Sequence, residues 1–180
     1  MSESYQPAAQ TLQWLERIVV GLNLCPFAAP VIDADALEIV VSDAVGTRAL
    51  LDDTVSQLQR LQTHSAAAIE TVLIVFSHDL GDFEDFLEFT AFADEAIDAL
   101  SLRGEFQLAS FHPHYQFDGL SESARENYTN RAPWPMLHVL REHSVSKAIS
   151  AHPDTASIPE RNQQLLSNMS DAAWRTLFCD

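Results

Sequence analysis

Thr71–Phe76 reads Thr-Val-Leu-Ile-Val-Phe, a run without a charge set between two stretches of helical periodicity. It constrains the fold more than any other segment. Such a run is short for a helix and suits a strand buried on both faces. Before it, Arg48–Leu61 places Leu51, Val55, Leu58 and Leu61 at helical spacing. After it, Phe83–Leu100 carries Phe86, Phe89, Ala93, Ile97 and Leu100 on one stripe. Two more strand-like segments, Leu37–Val41 and Phe106–Phe111, bracket these helices. Successive strand–helix–strand crossovers imply a mainly parallel sheet, because helices of this length return across it right-handedly.

Helical patterns continue on either side. Thr11–Leu22 is amphipathic and ends near Gly21, and Pro26 then opens a short second turn. Met136–Glu142 and Ser144–Ile149 read as helical, with Ser144 as a cap. Ser157–Met169 follows, capped by Ser157 with Pro159 in its first turn, and Asp171–Phe178 ends the series. The expectation is an α/β fold of α-β-α-β-α-β-α-α order, with helices flanking a small, mainly parallel sheet of three or four strands. A fourth strand would fall in Gln116–Pro135 or around His138–Leu140. A ferredoxin-like α+β arrangement is the alternative. No repeat or linker divides the 180 residues, so one domain over 1–180 is expected.

Charge excludes several function classes. Ten Lys and Arg face 26 Asp and Glu, a net charge of −16. Such a surface repels phosphate backbones and anionic membrane, so neither nucleic acid nor membrane is an expected partner. Cys25 and Cys179 are too few for a disulfide scaffold or a cysteine zinc site. The N-terminus lacks the basic and apolar regions of a secretory signal, which makes a cytoplasmic location the expectation.

Gly21-Leu22-Asn23-Leu24-Cys25-Pro26-Phe27-Ala28, Phe111-His112-Pro113, Asn127–Pro133, Pro135–Glu142 and Ile158-Pro159-Glu160-Arg161-Asn162 together resemble a bacterial family catalogued as domain of unknown function 1415. The resemblance spans almost the whole chain. It implies one domain and flags residues, and it carries no activity. The family pattern after the third strand reads Phe-His-Pro-x-Tyr, with His114 at the open position.

The candidate residues lie mostly in those stretches. His112 follows the third strand, where parallel sheets present their sites, and would serve as general acid or base with His138 or Cys25 assisting. Cys25 is either a nucleophile at a helix start or a packed structural thiol. His138 and Glu142 share a face if helical, so His112, His138 and Glu142 form a loose metal-binding set. No spacing demands a metal, and none is expected, nor is any cofactor. Asn127, Thr129 and Asn130 precede Arg131 in a long aperiodic stretch, and Trp134 stands by to wall a pocket. Arg141 and Arg161 are further cations in an acidic chain. Arg161 opposes its helix dipole, so it either pairs locally or, with Arg131, grips an anion. The expected function is binding of a small anionic metabolite, carboxylate or phosphate, with or without turnover. A protein-interaction adaptor and a metal-dependent enzyme are the alternatives. The oligomeric state stays open.

Overall fold

The computed structural model describes residues 5–151 and 154–178. Three strands, β1 (Leu37–Ser42), β2 (Thr71–Phe76) and β3 (Phe106–Phe111), alternate with two long helices, α3 (Thr47–Thr63) and α4 (Phe83–Ala99). Before them come α1 (Tyr5–Trp14), a π-helical continuation at Leu15–Val20, and α2 (Ala28–Asp33). After β3, a loop containing a 3-10 turn at Arg125–Thr129 leads to β4 (Met136–Arg141). Then follow α5 (Glu142–Ala151), a 3-10 turn at Thr155–Ser157, α6 (Ile158–Ser167) and α7 (Asp171–Phe178).

The sheet is four-stranded, in the order β1-β2-β4-β3, and is flanked by helices as expected. Its pairing corrects the expected sense. β1 and β2 are parallel, whereas β4 lies antiparallel to both β2 and β3. β1, β2 and β3 do run in one direction, as two crossovers require. β4 returns from the end of β3 and inserts between β3 and β2, so antiparallel pairs outnumber the parallel one. The resulting βαβαββ order differs from the ferredoxin-like βαββαβ order.

Residues 136–141 are therefore a strand and not the expected helix, as the alternative of a fourth strand around His138–Leu140 had it. The segment occupies the sheet interior, with Leu137 and Val139 on one face and Met136 and His138 on the other. Ring and chain packing on both faces outweighs the helical spacing of His138 and Glu142. Caps differ too. Asp82, not foreseen as a cap, accepts from the N–H groups of Glu84 and Asp85 at the start of α4. The Ser157 hydroxyl bonds the Asp154 carbonyl and caps nothing, and Ser144 lies inside α5.

One core lies beneath α3 and α4, where Leu58, Phe86, Phe89 and Ile97 meet Ile74 and Phe76. The opposite face of the sheet packs Leu73, Val75 and Met136 against Leu15 and Val19 of the π turn. Each side chain so buried stabilises by about 1.5–3 kcal/mol. The π turn has a strict requirement: the Gly21 N–H reaches Glu16 O at 3.0 Å, and a Cβ on Gly21 would lie 2.2 Å from Arg17 O. Only glycine fits there.

Candidate functional site

His112 is fully buried at the end of β3, against Phe83 and Phe86. Leu80 O can only accept, so His112 Nε2 carries the proton of their 2.9 Å bond. The His114 N–H donates to Nδ1 at 3.0 Å. The ring is thus neutral with both nitrogens held by backbone, and burial pushes its pKa down. Nothing is left on it to accept or deliver a proton. His138, at the centre of β4, is similarly engaged. The Thr71 hydroxyl donates to Val139 O at 2.5 Å, so it accepts from His138 Nε2 at 2.7 Å. Burial lowers His138 to about 4.

The polar loop holds itself together. Asn127, buried, accepts from Phe117 N–H and donates to Ser121 O. Thr129 donates to Glu126 O, and Asn130 donates to Ser110 O while its carbonyl receives the His112 N–H. Arg131 bonds the carbonyls of Tyr115 and Glu122, and its guanidinium lies 4.9 Å over the Tyr128 ring. Trp134 donates to Gln10 Oε1 at 2.9 Å, fastening the loop to α1.

The other two arginines are anchors elsewhere. Arg141 pairs with Phe106, at the opposite end of β3 from Phe111 and His112. Six strand residues put these ends about 17 Å apart. There Arg141 satisfies the carbonyls of Leu61 and His64 at the end of α3 and of Ile69 just before β2. Arg161 reaches Asn23 O at 2.5 Å, and its neighbour Asn162 donates to Leu24 O at 2.7 Å. Both clamp α6 to the turn after the π helix. The expected approach of Arg161 to Arg131 in one pocket does not occur: Arg131 lines a cleft that Arg161 does not.

Cys25 is half-buried. Burial pushes its thiol up, and the N–H groups of Phe27 and Ala28 offset this only in part. Glu142 accepts from Gly104 N–H, near Arg141 and away from His112. Among the described residues no three His, Cys, Asp or Glu side chains gather as a metal site would require. No helix among them is long and apolar enough to cross a membrane.

Two concavities flank the loop at 127–133. The first, about 350 Å³, opens between α1, the loop and α7. Arg17 and Arg131 line it with Gln10, Gln13, Trp14 and Tyr128, and no carboxylate among the described residues does. Arg17 uses one nitrogen on Thr176 O at 3.0 Å, and Arg131 keeps Nη1 without a partner among the described residues. α7 closes the third side by packing Trp174 and Phe178 edge-to-face with Tyr128, while Arg125 pairs with Asp171. The second concavity, about 360 Å³, lies between the turn at Leu24–Cys25, β3 and α6. Arg17 and Gln13 escaped the sequence reading. Arg17 sits on the outer face of a helix, and only the return of α7 makes that face a wall.

A family model described as "Protein of unknown function (DUF1415)" matches residues 6–176 of the chain. No curated protein and no solved structure matches it.

Proposed function

Since the chain belongs to the DUF1415 family, whose description gives no activity, we propose from the geometry that it binds a small anionic metabolite in the Arg17–Arg131 cleft. One observation carries this reading. In a chain of net charge −16, the cleft has two guanidiniums and, among the described residues, no carboxylate on its walls. Several other arginines are neutralised by carboxylates: Arg60 by Glu38, Arg103 by Asp94 and Asp98, Arg125 by Asp171. A guanidinium with free nitrogens facing a concavity suits a carboxylate or phosphate, which it grips with paired hydrogen bonds. The volume falls within the range of about 300–1,000 Å³ for small-molecule sites.

The proposal is for binding and includes no proton transfer. Both nitrogens of His112 are held by backbone, and His138 serves Thr71. Asn127, Thr129, Asn130 and Trp134 support the wall that presents Arg131. A thermal-shift panel of small carboxylates and phosphates tests the reading. At least one anion should raise the melting temperature of wild type and raise it less in Arg17→Ala. A panel without any shift would remove the support.

A further inference from the structure

The second concavity has a different chemistry, and it does not depend on the anion reading. We infer that it is a binding site for a small neutral molecule with an apolar body and one amide- or hydroxyl-type polar group, read by Gln163. Among the described residues, none of its lining side chains is charged. Val19, Leu24, Phe111, Phe117 and Ile158 give it a mostly apolar wall. A cavity of about 360 Å³ is within the usual size range for such ligands.

Its polar groups sort into committed and free. Asn162 gives Nδ2 to Leu24 O and receives Arg161 at Oδ1. Thr129 and Asn130 hold the loop and β3. Gln163, half-buried on α6 beside Asn162, has no hydrogen-bond partner for its amide among the described residues. It offers one donor group and one acceptor to whatever enters. Cys25 lines the same space, and burial pushes its thiol up, which keeps it neutral. Four of the five sequence stretches that carry the family resemblance contribute to this wall: those containing Leu24 and Cys25, Phe111, Thr129 and Asn130, and Ile158 and Asn162. A charged ligand would enter without a counter-charge, which apolar walls penalise heavily.

Benzamide, a neutral ring bearing one amide, is the probe. A chemical-shift titration of the full chain should show saturable binding. Gln163→Leu should weaken benzamide about tenfold, the loss of roughly one hydrogen bond, and leave toluene binding unchanged. Saturating benzamide should also slow alkylation of Cys25 by N-ethylmaleimide, read at the Cys25 peptide so that Cys179 does not contribute. Ile158→Trp, which fills the cavity, should abolish binding of both molecules. If that variant fails to fold, the other two measurements decide. Benzamide that does not saturate overturns the site. So does benzamide that binds Gln163→Leu as tightly as wild type, or that leaves Cys25 alkylation at its original rate.

Discussion

Leu80 accepts the Nε2 proton of His112 through its carbonyl oxygen at 2.9 Å, tying the loop after β2 to the end of β3. Leu80 has φ 61°, a left-handed conformation that a leucine adopts only at a cost of about 1–2 kcal/mol. The histidine bond and the burial of the Leu80 side chain hold it there. His112 is therefore a fold-determining residue. His112→Ala should lower unfolding free energy by about 2–4 kcal/mol, combining a vacated buried ring with two lost hydrogen bonds. Denaturant titration checks this. A variant as stable as wild type would contradict the assignment and return the imidazole to chemistry.

The two buried imidazoles also set a pH dependence. His112 and His138 are neutral when folded, with pKa values pushed below 6.5 by burial, His138 to about 4. The unfolded chain takes up protons at both near 6.5, and the folded chain resists. Their stabilisation is thus complete above about pH 7 and is lost as pH falls from 6.5 towards 4. For His138 the loss is up to about 3 kcal/mol, less whatever solvent reaching the half-buried ring returns. Asp98 and Asp171, held low by Arg103 and Arg125, add their loss only as pH falls through the ordinary carboxylate range and below it. Unfolding free energies at about pH 7.5 and about pH 4.5 should differ in wild type, and differ less in His138→Gln. Equal slopes would contradict this.

Arg141 closes the carbonyl end of α3, far from the anion cleft. Arg141→Ala should cost about 1.5–3 kcal/mol of stability, the range for hydrogen bonds to a charged donor. Anion-induced thermal shifts of the folded variant should match those of wild type. A variant of unchanged stability that no longer responds to anions would place Arg141 in the site.

Gly21 sets the geometry of the helix turn that carries Arg17. A methyl group 2.2 Å from Arg17 O cannot be accommodated without moving the π turn. Gly21→Ala should therefore lose about 2 kcal/mol or more, overpacking having typical costs of 1–3 kcal/mol. The anion response should weaken along with it. An alanine variant of wild-type stability would show that the turn relaxes freely.

β1, β2, β3 and the long helices α3 and α4 were legible because each is buried on a surface that its own periodicity describes. β4 was legible only as an alternative around His138–Leu140. Met136, Leu137, His138 and Val139 alternate between two covered faces, which erases the polar–apolar alternation of an ordinary antiparallel strand. The insertion of β4 between β2 and β3 leaves no mark on the strands themselves, so the sheet read as parallel. In the site, the loop at 127–131 stood out by its length and composition, and Arg131 with it. The roles of Arg141 and Arg161 were hidden because their partners, Leu61, Ile69 and Asn23, are remote in sequence. Cations bonded to distant carbonyls look the same in a sequence as cations awaiting a ligand.

Calorimetric titration of wild type and Arg17→Ala with inorganic phosphate and with succinate tests the central claim most directly. Arg17 is exposed and, among the described residues, makes a single bond, to Thr176 O, so its removal should leave the unliganded melting temperature nearly unchanged. The account predicts saturable binding of at least one of these anions by wild type. It also predicts affinity about ten- to 150-fold weaker in Arg17→Ala, corresponding to a charged hydrogen bond of about 1.5–3 kcal/mol. No saturable heat with either anion, or equal affinity in both proteins, would contradict it.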